Sequence, residues 1–191
     1  MRRRYAAAAA GLCALAVAGI IVLLVADAAD AYLLPINLGY TAGALLVFSL
    51  TAAAALTAVG RYPLAWIGWL GVLLSIAGFG FFMPALWEPS LGEEGGNLGL
   101  LKAAASLWLF SLALAHVSLV LTRLRTDDGP LVRAAVTGAL LFVLVLATLL
   151  TVAVVDDVSD ELYFRVTAVV AVLSALGTAL IPVLRAGRRA A

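Results

Sequence analysis

Six long apolar runs restrict what this chain can fold into. Each has about 20 mainly apolar residues, the length an α-helix needs to cross the hydrocarbon core of a bilayer. The runs cover residues 5–26, 37–58, 64–83, 100–122, 131–155 and 164–184. Barrel strands are a poor alternative, because the runs do not alternate in polarity and strands have roughly 9–11 residues. We predict one all-α domain over residues 1–191, an integral membrane bundle of six transmembrane helices.

The composition favours a lipid environment. Apolar residues make up 65% of the chain and charged residues 12%, whereas soluble domains have about 45–50% and about 25%. A soluble fold of 191 residues cannot bury that much apolar surface, so we expect the excess to face the lipid bilayer. Basic residues form no stripe apart from short flanks of the apolar runs, and no nucleic-acid partner is expected.

The positions of Lys and Arg predict an orientation, because cytoplasmic loops carry the excess of these residues. With the N-terminus inside, Lys102 and Arg165 lie in the outer segments and the other ten of the twelve basic residues lie in the inner ones. The inner set is Arg2, Arg3, Arg4, Arg61, Arg123, Arg125, Arg133, Arg185, Arg188 and Arg189. We therefore predict cytoplasmic N- and C-termini in the plasma membrane of a prokaryote.

A signal peptide is the alternative interpretation of the first run. Three arginines, an apolar run and the segment Ala29-Asp30-Ala31 resemble a secretory signal with an A-x-A cleavage site. Cleavage there would leave five helices, beginning at Tyr32. The run has about 21 residues, however, which exceeds the 7–15 residues of a typical signal core. The interpretation with six spans is therefore preferred.

Proline residues mark several predicted boundaries. Pro35, Pro63 and Pro130 lie just before or at the start of a span, where a missing N–H costs little. Pro84 follows the third span and is expected to stop it. Pro182 lies one turn inside the predicted end of the sixth span. We expect it to be tolerated there, with a kink as the alternative.

Small residues recur at helical spacing and are candidate packing positions, since helices in lipid associate where their backbones approach closely. We expect these stripes to face the bundle interior, with a seam between two copies as the alternative. The candidates are Gly39 and Gly43 in the second span, Gly68, Gly71, Ser75 and Gly78 in the third, and Ala171 and Ala175 in the sixth.

His116 is the candidate titratable group of the span interiors, which contain no Asp, Glu, Lys or Arg. With Ser111 and Ser118 it forms a candidate intramembrane polar site on the fourth span. A role in proton relay or ligand binding is one interpretation. The other is a neutral imidazole bonded to a Ser, Thr or carbonyl group of a neighbouring helix. One histidine without partners predicts neither a metal site nor a cofactor.

The segment around Asp128-Gly129 is a candidate enzyme motif. It faintly resembles the signature of the CDP-alcohol phosphotransferases. That signature needs an Asp where Arg125 stands and further acids in the next helix, which has none before Asp156. We interpret Asp127, Asp128 and Gly129 as a turn that caps the fifth span. No catalytic constellation is found, and the chain is predicted not to be an enzyme.

Two functions follow from this pattern. The first is a non-enzymatic accessory, structural or interaction component of the plasma membrane, whose partners are the bilayer and a membrane protein or a second copy. The alternative is a small transporter or permease for an apolar or neutral solute, with Tyr40 and His116 among sparse polar contacts. A sealed, close-packed bundle favours the first function, and a water-accessible cavity that reaches His116 favours the second.

The first span gives a direct prediction. We expect the intact mass of the purified protein to be that of the full 19.7 kDa chain, because the first apolar run is too long for a signal core. A protein that begins at Tyr32 would contradict the prediction of six spans.

Overall fold

The computed structural model describes residues 33–59, 65–87, 96–125 and 128–190, and it is all-helical over these ranges. Five helices follow one another, α1 (Leu33–Leu56), α2 (Ala65–Trp87), α3 (Gly96–Leu121), α4 (Pro130–Val155) and α5 (Glu161–Ala190). They correspond to the predicted second to sixth spans. The predicted first span, residues 5–26, and the segment Ala29-Asp30-Ala31 lie outside the described residues, so the count of six stays a prediction.

All five helices are long and apolar enough to cross a membrane, with apolar segments of 18 to 26 residues. Large apolar side chains lie exposed along their length, including Ile76, Leu131 and Val183, whose exposed fractions are 63%, 73% and 63%. Water would not favour so much exposed apolar surface, whereas lipid accommodates it. The helices are therefore compatible with a membrane protein, as the sequence predicts.

The prediction that Pro84 ends its span is wrong. Helix α2 continues through Pro84 to Trp87. So close to a helix end, proline removes a single helical hydrogen bond. The last turn is also tied to α1, because Asn37 Nδ2 donates to the Leu86 carbonyl at 3.4 Å and Trp87 Nε1 donates to Thr41 Oγ1 at 2.9 Å. These contacts between helices hold the turn that follows the proline.

Three other prolines lie in described helices, and Pro35 is the third residue of α1, near the predicted start of its span. Pro130 is the first residue of α4, as predicted. Pro182 lies well inside α5, because this helix extends to Ala190 instead of ending near Leu184. Since Pro182 has no N–H, the carbonyl of Thr178, four residues earlier, lacks its helical donor.

The turn before α4 is closed by an aspartate. Gly129 occupies the N-cap position, and no side chain caps the helix. The carboxylate of Asp128, a buried residue, instead accepts a hydrogen bond from the Arg125 backbone N–H at 2.8 Å. The predicted turn is present, its N-cap residue is Gly129, and Asp127 lies outside the described residues.

The helices pack in two parts. Helices α1, α2 and α3 contact one another, and α2 and α3 share the most extensive contact. Helix α4 packs between α3 and α5, while α5 has at most sparse contact with α3. The described bundle is therefore a group of three helices, α1–α3, joined through α4 to a hairpin of α4 and α5.

Glycines of α2 let the backbones of the α1–α3 group approach closely. A Cβ built on Gly68 would lie 2.7 Å from the carbonyl oxygen of Ala55, and one on Gly71 would lie 2.8 Å from the Ala55 Cβ. A Cβ on Gly78 would lie 2.7 Å from Cε1 of Phe48. Real Cβ atoms essentially never lie so close, so a larger residue at any of these positions would force a neighbour to shift, and at Gly68 that neighbour is backbone.

Two buried serines reinforce the same contacts. Ser75 Oγ donates to the Phe48 carbonyl at 2.6 Å, and Ser111 Oγ donates to the Gly71 carbonyl at 2.8 Å. Their exposed fractions are 1% and 0%. A buried hydroxyl without a partner is costly. Each serine therefore stabilises the arrangement of helices in which it reaches the carbonyl of Phe48 or Gly71.

A lysine joins α3 to the end of α4. Lys102 Nζ donates to the Val155 carbonyl at 3.0 Å and forms an ion pair with Asp157. Asp157 has the left-handed φ of 51°, and the Val158 N–H donates to the Ala153 carbonyl at 3.2 Å. This pattern is a Schellman C-cap, and a cation is favourable at such a helix end.

The close packing of α2 predicts different effects for two glycines of the same helix. Gly68→Ala is expected to lower stability by about 1–3 kcal/mol, since its methyl group meets backbone atoms of Ala55 that cannot easily move. Gly80→Ala is the matched control, because a Cβ there meets nothing within 4 Å. Alanine favours a helix by about 1 kcal/mol over glycine, so stability should be kept or raised. The measurement is the thermal midpoint of the detergent-solubilised protein, followed by tryptophan fluorescence. Equal losses in both variants would refute this account.

Candidate functional site

His116 on α3 bonds to a threonine of α5. Its Nε2 lies 3.1 Å from Thr178 Oγ1. The Thr178 hydroxyl donates its own proton to the Ser174 carbonyl at 3.0 Å. Because a hydroxyl has one proton, Thr178 accepts from His116, which places a proton on Nε2. In a neutral ring, Nδ1 is then a hydrogen-bond acceptor.

This pair lines a cavity between α3, α4 and α5, which we call the α3–α5 cavity. Its volume is about 490 Å³. Its walls are residues between Leu109 and His116 on α3, between Val143 and Leu150 on α4, and between Ala171 and Ala179 on α5. His116, Ser174 and Thr178 are its polar members, and none of the described residues that line it is charged. Mainly apolar cavities of about 300–1,000 Å³ with a few convergent polar groups are typical of ligand sites.

The hydroxyl of Ser174 is a polar group of the cavity that has no hydrogen-bond partner among the described residues. The exposed fraction of this residue is 6%. Thr167 and Thr178, on the same face of α5, each donate to the carbonyl four residues earlier. The Ser174 hydroxyl is therefore available to a molecule in the cavity.

Contacts between the helices that form its walls lie beyond each end of the cavity. Beyond His116, Val120 and Ile181 belong to an apolar cluster with residues of α4. Toward the other end, the Tyr163 hydroxyl donates to the Leu149 carbonyl at 2.5 Å. The opening lies at the side, between α3 and α5, where Leu112 of the lining is 45% exposed. The cavity is accordingly reached from the side of the bundle.

The two serines of the candidate polar site lie on another face of α3. Ser111 packs on α2, as described above, and Ser118 is fully buried with no partner for its hydroxyl. At 3.6 residues per turn, His116 lies roughly 140° around the helix from Ser111 and roughly 160° from Ser118. The structure therefore does not bring His116 and the two serines into one site.

The candidate packing residues are also divided. Gly68, Gly71, Ser75 and Gly78 lie in the contacts of α2, whereas Ala171 and Ala175 line the cavity. Gly39 and Gly43 are exposed, and a Cβ on either would meet nothing within 4 Å. These two glycines pack against no helix that the structure describes, in contrast to the stripe of α2.

No family model matches the chain, and no curated protein or solved structure matches it. The site is therefore interpreted from its own geometry.

Sequence reasoning missed Ser174. Thr178 lies at helical spacing from Ala171 and Ala175 of the sixth span, so the sequence marks it only as one more small residue. The available signal was the spacing of Ser174 and Thr178, two small hydroxyl residues one helical turn apart. Their relation to His116 joins positions 62 residues apart, which no local pattern reveals. Among the described residues, no group of three or more His, Cys, Asp or Glu side chains is placed to hold a metal ion.

The bond between His116 and Thr178 predicts a measurable coupling. His116→Leu and Thr178→Val should each lower stability, and the double variant should lose less than the sum of the two. The expected coupling energy is about 0.6 kcal/mol, the average for hydrogen bonds between membrane helices. Thermal or denaturant unfolding in detergent measures it.

The matched control for this cycle is Thr137→Val. Thr137 is exposed, and its hydroxyl donates to a carbonyl of its own helix. Combined with His116→Leu it should be additive. Additivity in the His116 and Thr178 pair as well would show that the bond contributes nothing.

Proposed function

We propose that the chain is a multi-pass, non-enzymatic component of a prokaryotic plasma membrane that acts by lateral interaction with another membrane component. The observation that supports this most is the α3–α5 cavity. It is mainly apolar, and its opening lies on the side of the bundle, where a membrane component would reach it. Apolar packing across the end nearest Val120 and Ile181 favours entry from the lipid over passage along the helix axes.

The use of polar side chains inside the helices supports a role without catalysis. Ser75, Ser111 and His116 each bond to a different helix. Catalysis needs an acid, base or nucleophile directed at a substrate. Here these groups are engaged in holding helices together, which favours a structural use.

The charge pattern supports N- and C-termini in the cytoplasm. The loop between α3 and α4 contains Arg123 and Arg125, whereas the loop between α4 and α5 contains Asp156, Asp157 and Asp160. Basic residues favour the cytoplasmic side. This alternation supports an inner position for the first loop and an outer position for the second.

Transport of an apolar or neutral solute is the second candidate. The cavity reaches His116 and has the size of a ligand site, which favours this candidate over an enzyme. A transport path must open to both sides in turn. Apolar packing around Val120 and Ile181 lies across one end of the cavity, so lateral interaction has the stronger support.

Two measurements on the purified full-length protein distinguish these functions. Extraction in polymer nanodiscs is expected to retain a bound component, a lipid, a second copy or a membrane protein, that raises the mass above the 19.7 kDa of the chain. Proteoliposomes are expected to be no more permeable to glycerol or to a short-chain alcohol than empty vesicles.

Saturable solute flux would contradict the first proposal and support transport, provided that a cavity variant abolishes it. Ala175→Trp fills the cavity lining, and Ala168→Trp is the matched control because Ala168 is an exposed alanine of α5 outside the lining. Flux lost in the first variant alone would locate the transported solute in the cavity.

A further inference from the structure

We propose that the α3–α5 cavity binds an uncharged lipid whose hydroxyl or ester carbonyl hydrogen-bonds to Ser174. This inference rests on the lateral interaction proposed above and names its partner. The inference starts from three features that lie together: an apolar cavity, the unpartnered hydroxyl of the buried residue Ser174 that lines it, and the imidazole of His116 bonded to Thr178.

The hydroxyl of Ser174 has no hydrogen-bond partner in the described part of the chain, so a ligand can supply one. The exposed fraction of the residue is 6%, and it lines the cavity. A buried hydroxyl without a hydrogen bond is costly, and lipid supplies no water to satisfy it. A ligand carbonyl would accept from Ser174, and a ligand hydroxyl would bond to it as donor or acceptor.

His116 also lines the cavity and offers a hydrogen-bond acceptor. Since Nε2 donates to Thr178, Nδ1 of the neutral ring has a lone pair. Thr178 donates to the carbonyl of Ser174, so the histidine and the serine lie at neighbouring points of one hydrogen-bonded chain. A ligand hydroxyl that reaches this point finds acceptors as well as a donor.

Depth and charge exclude a phospholipid headgroup from this point. Ser174 lies about 15–20 Å from either end of the apolar segment Glu161–Leu184 at 1.5 Å per residue, which is near the centre of a hydrocarbon core about 30 Å thick. No charged side chain of the described residues lines the cavity, and an ionised group buried without a partner is far costlier than a hydroxyl. An uncharged lipid can carry its polar group to that depth.

The dimensions favour a small molecule over a helix. The lining extends from Leu109 to His116 on α3 and from Ala171 to Ala179 on α5, about 10–12 Å along each helix. Apolar packing around Val120 and Ile181 bounds one end of it. A transmembrane helix would need a groove along most of the roughly 30 Å core, so neither a second copy nor another span of this chain fits as well as a lipid chain.

The test uses the full-length protein in nanodiscs that contain a photoactivatable diacylglycerol or a phosphatidylglycerol with the same diazirine-bearing chain. After irradiation, proteolysis and mass spectrometry locate the labelled residues. We expect diacylglycerol to label the cavity-lining segments, residues 109–116 and 171–179, more than phosphatidylglycerol does. Equal labelling by the two lipids would overturn the proposal.

Four variants locate the interaction. Ser174→Ala should lower labelling of the lining about threefold, the change expected from one hydrogen bond inside a membrane. Ser106→Ala is its control, since Ser106 lies on α3 outside the lining and donates to its own helix. Ala175→Trp should abolish labelling of the lining, whereas Ala168→Trp should leave it unchanged. Thermal midpoints verify that each variant is folded, and unchanged labelling in folded Ser174→Ala would overturn the assignment of Ser174.

A photo-crosslinking amino acid at Leu112, at the cavity opening, separates this inference from the function on which it rests. A lipid adduct supports the inference. The inference is overturned by an adduct with a second copy, with another protein or with residues 5–26. An adduct with a second copy or with another protein would still agree with lateral interaction as the function. Saturable solute flux in proteoliposomes would instead overturn lateral interaction as the function and leave the lipid site intact.

Discussion

The close approach of α2 to α1 and α3 is the contact on which the rest of the described bundle depends. The hydrophobic effect does not drive apolar helices together inside a bilayer, so their association relies on close packing and on a few hydrogen bonds. Gly68, Gly71 and Gly78 remove the side chains that would hold the backbones apart. Ser75 and Ser111 then reach carbonyl groups of neighbouring helices. Packing and hydrogen bonding therefore depend on the same small residues.

This contact fixes the rotation of α3 and thereby the position of the cavity. With Ser111 directed at α2, His116 lies on a different face of α3 and meets Thr178 of α5. Helix α4 packs on both α3 and α5 and holds them apart. A single hydrogen bond between α3 and α5 leaves space beside it, and Ser174 lies in that space without a partner. The cavity thus exists because α3 and α5 both pack on α4 while making little contact with each other.

Local and tertiary signals differ in how far they can be read from sequence. The glycines of α2 lie in contacts between helices, whereas Gly39 and Gly43, which also recur at helical spacing, are exposed. Spacing alone does not state which face of a helix meets a neighbour. The error at Pro84 has the same origin. A local rule predicts a helix end there, whereas contacts with Asn37 and Thr41 of α1 keep the turn in place.

The sequence by itself determined the all-helical class, the membrane-spanning length of the five described helices and the approximate position of each, because hydropathy over about 20 residues is a local property. Tertiary structure decided the partner of His116, its separation from Ser111 and Ser118, and the existence of the α3–α5 cavity. Each depends on the rotation of one helix against another and on contacts between distant positions, such as the 62 residues that separate His116 from Thr178. Several rotations would bury the same apolar residues equally well in lipid, so only the packed bundle selects one.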